Sequence, residues 1–360
     1  MAAHDVAAVS AGEGDAVFLA VDSGGSGLRL ALGTVARGPL ARRDAGGPVR
    51  TGERGIDAGH LMELLVPAVR SLAEASGLGQ PVTAAVGAAG LSTLGADLRA
   101  VLPGALRREF GVRRLALAAD AVTAYAGALG ERAGVVIAAG TGLIAVGTDL
   151  RRWRRADGWG HLLGDCGSGA WIGRAGLEAA LRAHDGRPGG SARLLALAEE
   201  TFGPVTRLPG LLYPRADRAA VLASFAPQVA ACAAADADPV AGGILDAAAR
   251  HMAESAAAVR PAGGTPAVAL TGGLFRMGAP LLTPLERELA RLLPHARLTP
   301  AQGDPLDGAA RIAAALAADT LALPADGTML QVMATTAGGT TASGSGGRGD
   351  VSADEPADRF

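Results

Sequence analysis

At 360 residues the chain is long enough for two domains, and 49% hydrophobic against 19% charged residues supply the apolar surface for sizeable cores. A net charge of −2 with scattered arginines excludes a field that would recruit nucleic acid, and the longest strongly apolar uncharged run, 134–147, is too short and too rich in glycine to span a bilayer, so neither nucleic acid nor membrane is expected as a partner. The chain contains no lysine and no asparagine, which removes both the Walker loop and the strand lysine of protein kinases from consideration.

Residues 1–15 are small, polar and acidic, unlike a signal peptide, and read as a disordered start to a cytoplasmic protein. Val17 to Val21 is an apolar run ending in DSGGSG at 22–27, and a second run covers Leu28 to Val35, the pattern of a β-hairpin with a glycine-rich turn. Such a turn serves equally as a plain hairpin or as a phosphate cradle, with N–H groups exposed by Gly24, Gly25 and Gly27, the Ser26 hydroxyl, and the Asp22 carboxylate to hold magnesium. A third strand is expected near 40–44, a helix through Leu61 to Leu72, a strand at 82–86 ending in Gly87-Ala88-Ala89-Gly90, a helix over 96–109 and a strand at 115–118. Asp120 follows that strand and opens a helix to Leu129. It reads as a helix N-cap or as a carboxylate at the carboxyl edge of a strand, where open α/β sheets hold ligands. Val135 to Ala138, Gly140-Thr141-Gly142 and Leu143 to Gly147 repeat the opening hairpin, with a third strand expected at 150–154, which indicates an internal duplication.

The stretch Asp157 to Gly173, DGWGHLLGDCGSGAWIG, interleaves six glycines with two tryptophans and two aspartates and fits no core helix or strand. An exposed loop has little use for Trp159, Trp171, Leu162 and Leu163, so the stretch is expected to face a ligand, with the two tryptophans as walls. Residues 170–260 read as an alanine-rich helical insertion broken near 186–190, 202–212 and 236–239. A strand at 267–270, the turn Thr271-Gly272-Gly273, a helix at 280–292, a strand at 296–298 and a helix at 305–318 follow, and from about Ala334 the tail is expected to be disordered.

These pieces resemble the actin-like ATPase and sugar kinase fold, and within it the N-acetylglucosamine kinase and BadF/BadG/BcrA/BcrD-type ATPase family. DSGGSG at 22–27 is similar to the first phosphate motif, AAGTG at 138–142 to the second, LTGGLF at 270–275 to the adenosine motif and PLDGAARIA at 305–313 to the closing helix motif, while the 157–173 loop resembles the family's own. The resemblance implies an α/β fold of two duplicated, ribonuclease H-like domains, 16–118 and 119–322, around a central cleft, with the helical insertion in the second. It implies ATP and Mg²⁺ as cofactors, with nucleotide contacts from Asp22, Gly24, Gly25, Ser26, Gly140, Thr141, Gly142, Gly272, Gly273 and Gly308. It makes Asp120 the catalytic base, places a small-molecule sugar against Gly90, Trp159, Gly160 and Asp165, and allows a homodimer. Transfer of phosphate to an amino sugar hydroxyl, N-acetylglucosamine to its 6-phosphate, is the expected reaction. The chain departs from the pattern in three places: the loop at 46–55 offers Arg50 and Thr51 where sugar kinases usually place an asparagine, Cys166 stands where an acidic residue commonly follows the loop aspartate, and Gly27 replaces a frequent basic residue.

Two alternatives come with the same fold. One is an ATPase driving a partner protein through an iron–sulfur cluster bridged between subunits, for which Cys166, inside the loop, and Cys232, inside a helix, are poorly placed. The other is a sugar- or nucleotide-binding regulator without catalysis, although no helix-turn-helix pattern precedes Val17.

Overall fold

The computed structural model describes residues 16–335 apart from 25–26, 48, 53–54, 92–94 and 236. Two mixed sheets form its frame. The first has the order β13-β7-β6-β1-β2-β3, built from Val17–Gly24 (β1), Gly27–Thr34 (β2), Gly38–Asp44 (β3), Thr83–Ala88 (β6), Arg114–Ala119 (β7) and Leu330–Ala334 (β13). The second has the order β10-β9-β8-β11-β12, from Gly134–Ala139 (β8), Leu143–Thr148 (β9), Trp153–Asp157 (β10), Ala267–Thr271 (β11) and Arg297–Leu298 (β12). Thr51–Gly52 (β4) and Gly55–Ile56 (β5) make a small separate ribbon.

Without β13, the first sheet reads β7-β6-β1-β2-β3 and the second β12-β11-β8-β9-β10, so each hairpin and each parallel crossover has its counterpart. The helices repeat as well. Ala96–Phe110 (α2) and Ala279–Leu292 (α10) are the equivalent crossovers, and Asp120–Leu129 (α3) and Pro305–Ala317 (α11) follow the equivalent last strands. Where the first half has one helix, Ala58–Ser76 (α1), the second has six: Gly169–His184 (α4), Ala192–Phe202 (α5), Leu208–Leu212 (α6), Arg218–Ala223 (α7), Ala226–Ala235 (α8) and Pro239–Ala258 (α9). The stretch 218–235 is apolar and long enough by composition to cross a membrane, but it is broken at Ser224 and Phe225 into two helices too short to do so.

The period of two along the strands sets the layers. Leu19 and Val21 of β1 pack with Leu61 and Leu65 of α1 and Leu102 of α2, whereas Phe18 and Ala20 turn to the other face and pack with Val122 and Tyr125 of α3 and Ala309 and Ile312 of α11. Val136 and Val146 of the second sheet close that central layer from the opposite side, and Val135 and Ile137 face the helical layer of α4, α8, α9 and α10. Helices α3 and α11 are thus packed between the two sheets. They approach closely because Gly308 has no Cβ, which would come within 1.8 Å of the Thr123 carbonyl.

Two expectations shift. The third strand of the second hairpin runs over 153–157 and not 150–154, because the Asp149 carboxylate accepts the N–H groups of Arg151 and Arg152 at 3.0 Å and Leu150 takes φ 66°, which makes 149–152 a turn. The strand at 330–334 was not expected at all. It pairs antiparallel with β7, so that after α10 the chain returns to the first sheet through both α11 and β13.

Candidate active site

Register carries Asp22 and Asp120 to one edge. Parallel pairing sets Asp22 level with Gly87 of β6 and Gly87 level with Ala118 of β7, so Asp120, two residues on, lies at the same carboxyl end. Asp22 shares a face with Phe18 and Ala20, which is the face covered by α3, and α3 begins at Asp120. Asp120 does not act as an ordinary N-cap: its Oδ1 accepts only the adjoining Ala121 N–H, at 2.9 Å, and not a donor further along the first turn. Burial pushes its pKa up to about 6, with the negative charges of Asp22 and Asp165 adding to the rise and the Ala121 N–H opposing it. Three carboxylates therefore converge where solvent is restricted.

Asp22 is buried and also titrates above the usual carboxylate range, burial outweighing the Arg29 guanidinium that lowers it. Arg29 is directly opposite Asp22 in the β1–β2 hairpin and directs Nε and Nη2 to Asp22 Oδ2, at 3.2 and 2.6 Å. Its Nη1 reaches Asp304 Oδ2 at 2.8 Å. Asp304 caps α11 in a capping box with Asp307, and Arg42 pairs with Asp307, so the first hairpin is tied to the N-terminus of α11 by alternating charges. Neither Arg29 nor Asp304 was singled out from sequence, although the pairing of Gly24 with Gly27 makes 22 and 29 cross-strand partners, and D-P-L-D before an apolar helix is a capping signature.

The loop after β10 is organised by Asp157. At φ 62° its carboxylate accepts the N–H of Asp165 at 2.5 Å and of Cys166 at 2.8 Å, and a Cβ on Gly164 would lie 2.4 Å from it. Asp165, at φ 53° and buried, is turned so that Oδ1 accepts the Gly160 N–H at 3.1 Å, and a Cβ on Gly142 would sit 2.6 Å from Oδ2. Burial raises the Asp165 pKa, the Gly160 N–H lowers it, and the Asp157 charge raises it further. Asp157, which in the sequence marks only the start of the glycine-rich stretch, is the residue that holds the stretch in shape.

The tip of this loop departs from expectation. Trp159 is 61% exposed, Leu162 76% and Leu163 87%, so the apolar residues at the tip do not pack inside. Arg155 lies over the Trp159 ring at 4.2 Å. Trp171 is no cleft wall either: it packs edge-on against His251 of α9 at 5.3 Å, within the helical layer. Gly158 and Gly160, at φ 74° and 84°, let the loop reverse within a few residues, and the space so gained is taken by Ile144 and by backbone hydrogen bonds, leaving the tip outside.

The second turn is uncharged. Gly140 N–H bonds to Gly142 O, and the first amides of α4, Gly169 and Ala170, donate to the carbonyls of Gly140 and Thr141 at 2.9 and 3.1 Å. A cavity of about 680 Å³ opens beside it, reaching Gly140, Thr141, Gly273 and Met277 on one side and Ala223 and Ala230 on the other. Gly272, at φ 106°, passes so close to Ala139 that a Cβ would meet its carbonyl at 2.2 Å, and this brings the 3₁₀ turn Gly273–Met277 against the cavity. Gly24 closes the first hairpin, Gly90 at φ 71° turns the chain after β6, and Gly25 and Ser26 lie outside the described residues. Gly308, expected at the nucleotide, is instead buried at the crossing of α3 and α11. Arg50 pairs with Glu63 at 3.5 Å on the outside. Cys232 is fully buried in α8, and Cys166 is part of the loop held by Asp157.

The chain is similar to sugar kinases. It shares 35% identity over 101 residues with the N-acetylmuramic acid/N-acetylglucosamine kinase of Clostridium acetobutylicum, a match that covers 27% of this chain and 33%, about a third, of that protein. A solved structure of a candidate N-acetylglucosamine kinase from Chromobacterium violaceum superposes with a TM-score of 0.62 at 28% identity, over 82% of this chain and 98% of the other. A ROK family glucokinase from Streptomyces griseus, solved with glucose and AMPPNP, has the same fold at a TM-score of 0.53 and 21% identity, over 84% and 99%. These neighbours identify the duplicated sheets as the two-domain fold of actin-like sugar kinases. Residues 20–308, most of the chain and all four turns and loops described above, match one family throughout, and the chain belongs to the BadF/BadG/BcrA/BcrD ATPase family.

Proposed function

We propose that this chain is an ATP-dependent kinase that transfers the γ-phosphate to a hydroxyl of an amino sugar, N-acetylglucosamine to its 6-phosphate first among them. The observation that carries the reading is Asp120, a carboxylate at the carboxyl edge of β7 whose pKa is pushed up to about 6 between Asp22 and Asp165. A base near that value accepts the proton of the attacking hydroxyl as the new oxygen–phosphorus bond forms and the bond to the β-phosphate oxygen breaks. Asp165, whose Oδ1 accepts the Gly160 N–H, would orient the sugar hydroxyls.

Thr141 and the glycine N–H groups of the two turns, at Gly24 and at Gly140 to Gly142, suit the phosphates, and the cavity beside Gly272 and Gly273 is within the range of a nucleoside site. Both Arg29 donors fall on Asp22 Oδ2, an arrangement compatible with a magnesium ion on Oδ1, since magnesium is commonly held by one carboxylate together with substrate phosphates. Bound there, magnesium would neutralise phosphate charge. With no lysine in the chain, the remaining positive groups are arginines and backbone dipoles. The similarity to the N-acetylmuramic acid/N-acetylglucosamine kinase supports the amino sugar as acceptor.

A coupled ADP-release assay with ATP, Mg²⁺ and a panel of hexoses and amino sugars tests this. N-acetylglucosamine should give the highest kcat/KM, and ADP release that no sugar accelerates would refute the kinase reading.

A further inference from the structure

The cavity beside Gly273 has a lining that bears on which nucleotide it takes. Its walls are mostly methyl and methylene groups, from Ala223, Pro227, Ala230, Ala234 and Met277. Among the described residues no aspartate, glutamate, asparagine or glutamine side chain lines it. The polar side chains that do are Thr141, at the turn, Ser224 and Arg276. The Ser224 hydroxyl donates to the Val221 carbonyl at 2.7 Å and so offers a base only its oxygen, which accepts equally from the 6-amino group of adenine and from the N1–H or 2-amino group of guanine. Arg276 makes no hydrogen bond or ion pair with any described residue and is exposed at the rim. A guanidinium is donor only. It suits the N7 that adenine and guanine share and the O6 that guanine and hypoxanthine add.

The geometry points to a phosphoryl-donor site that accepts 6-oxopurine nucleoside triphosphates, GTP and ITP, alongside ATP, with Arg276 at the N7/O6 edge of the base. This rests on reading the cavity as the nucleoside site. A site that recognises a base through dedicated hydrogen bonds rejects the wrong partner by about 10⁴ to 10⁵-fold, because its own buried polar groups are left unpaired. Here the walls contain no such group to strand, and apolar contact separates purines weakly. Changing the 6-substituent from amino to oxo alters which atoms meet Ser224 and Arg276 but leaves the contact with the alanine methyls unchanged.

The test is calorimetric binding of AMPPNP and GMPPNP with Mg²⁺ but no sugar, followed by kcat/KM for ATP, GTP and ITP with the acceptor found above. The expected result is GMPPNP binding within about a hundredfold of AMPPNP and GTP and ITP turnover within about a hundredfold of ATP, with Arg276→Gln lowering the GTP-to-ATP ratio by about tenfold. Arg276 has no described partner to lose, so the variant should fold. ATP binding and turnover with GTP and ITP weaker by more than about a hundredfold would overturn the inference while leaving the kinase reading in place. An Arg276→Gln variant that weakens all three nucleotides equally would overturn the assignment of Arg276 to the base edge. Binding of neither analogue would strike the nucleotide-site reading itself.

Discussion

The two halves of the molecule use one topology for opposite electrostatic purposes. Two residues before the first turn glycine of each hairpin, the first sheet pairs Asp22 with Arg29 across the strands and the second pairs Ala138 with Ile144. The first turn is thus an ionic device, fastened to Asp304 on α11, while the second is neutral and is fastened by the amides at the start of α4. The six-helix insertion that replaces α1 explains the difference. It supplies the second half with a helix to dock on its turn and a cavity beside it. On the proposed function, the charged side would take the metal and acceptor chemistry and the neutral side the nucleoside.

The largest effect should come from the carboxylate on the charged side. Asp120→Asn keeps the size and the hydrogen bond to Ala121 but cannot take a proton, so kcat should fall about 10² to 10⁴-fold while both dissociation constants change little. If Asp120 is the base, its ionised form is the active one, and with a pKa of about 6 turnover should be level above about pH 7 and fall about tenfold per unit well below it. A nearly active Asp120→Asn enzyme, or a pH profile without this acidic limb, would show that the charged half serves only to bind.

How much of this contrast can be read from sequence differs between the halves. The duplicated hairpins are legible because glycine pairs between apolar runs mark turns whatever surrounds them, and Asp22 and Asp165 stand next to such glycines, while Asp120 is marked only by the change from strand to helix. The exposed tip at Trp159, Leu162 and Leu163 is not legible, because hydrophobicity predicts burial while the direction of the tip is set by Asp157 accepting two amides eight and nine residues away. Gly308 shows the same limit. A glycine needed for a ligand and one needed for a helix crossing look alike until the Thr123 carbonyl is seen beside it. The strand at 330–334 escapes because five residues carry little periodicity and its stability comes from β7, some two hundred residues earlier in the chain.

The boundary between the halves lies at Asp165, which touches the neutral turn through Gly142 and adds its charge to Asp120. Asp165→Ala removes a buried acceptor of hydroxyl hydrogen bonds contributing roughly 1.5 to 3 kcal/mol, so apparent sugar affinity should fall about tenfold to a hundredfold with ATP affinity nearly unchanged. If titration calorimetry finds ATP weakened and sugar unaffected, the loop belongs functionally to the neutral half.

The smallest effect, and the one that tests the ionic device itself, is expected at Arg29. Arg29→Gln leaves Asp22 buried beside Asp120 without its cation, and because the Arg29 side chain is 36% exposed the loss should be discounted to about 1 to 2 kcal/mol, or about 2 to 4 °C in Tm. The sign with pH follows from Asp22. Its pKa is already raised by burial, and removing Arg29 raises it further, so the variant binds this proton more tightly when folded. The variant's deficit is therefore full above both raised Asp22 pKa values and shrinks as pH falls through them, which happens above the ordinary carboxylate value, until Asp22 is protonated in both folded proteins and the Arg29–Asp22 charge pair has nothing left to contribute. Arg29→Lys should recover less than half of the deficit, since an ammonium is a point charge and cannot serve Asp22 with two donors while reaching Asp304 with a third. Thermal melts of the three proteins from pH 4 to pH 8 measure this directly. A deficit that stays constant with pH, or a lysine that restores it fully, would mean that Arg29 fills space in the hairpin and that the first turn differs from the second only in shape.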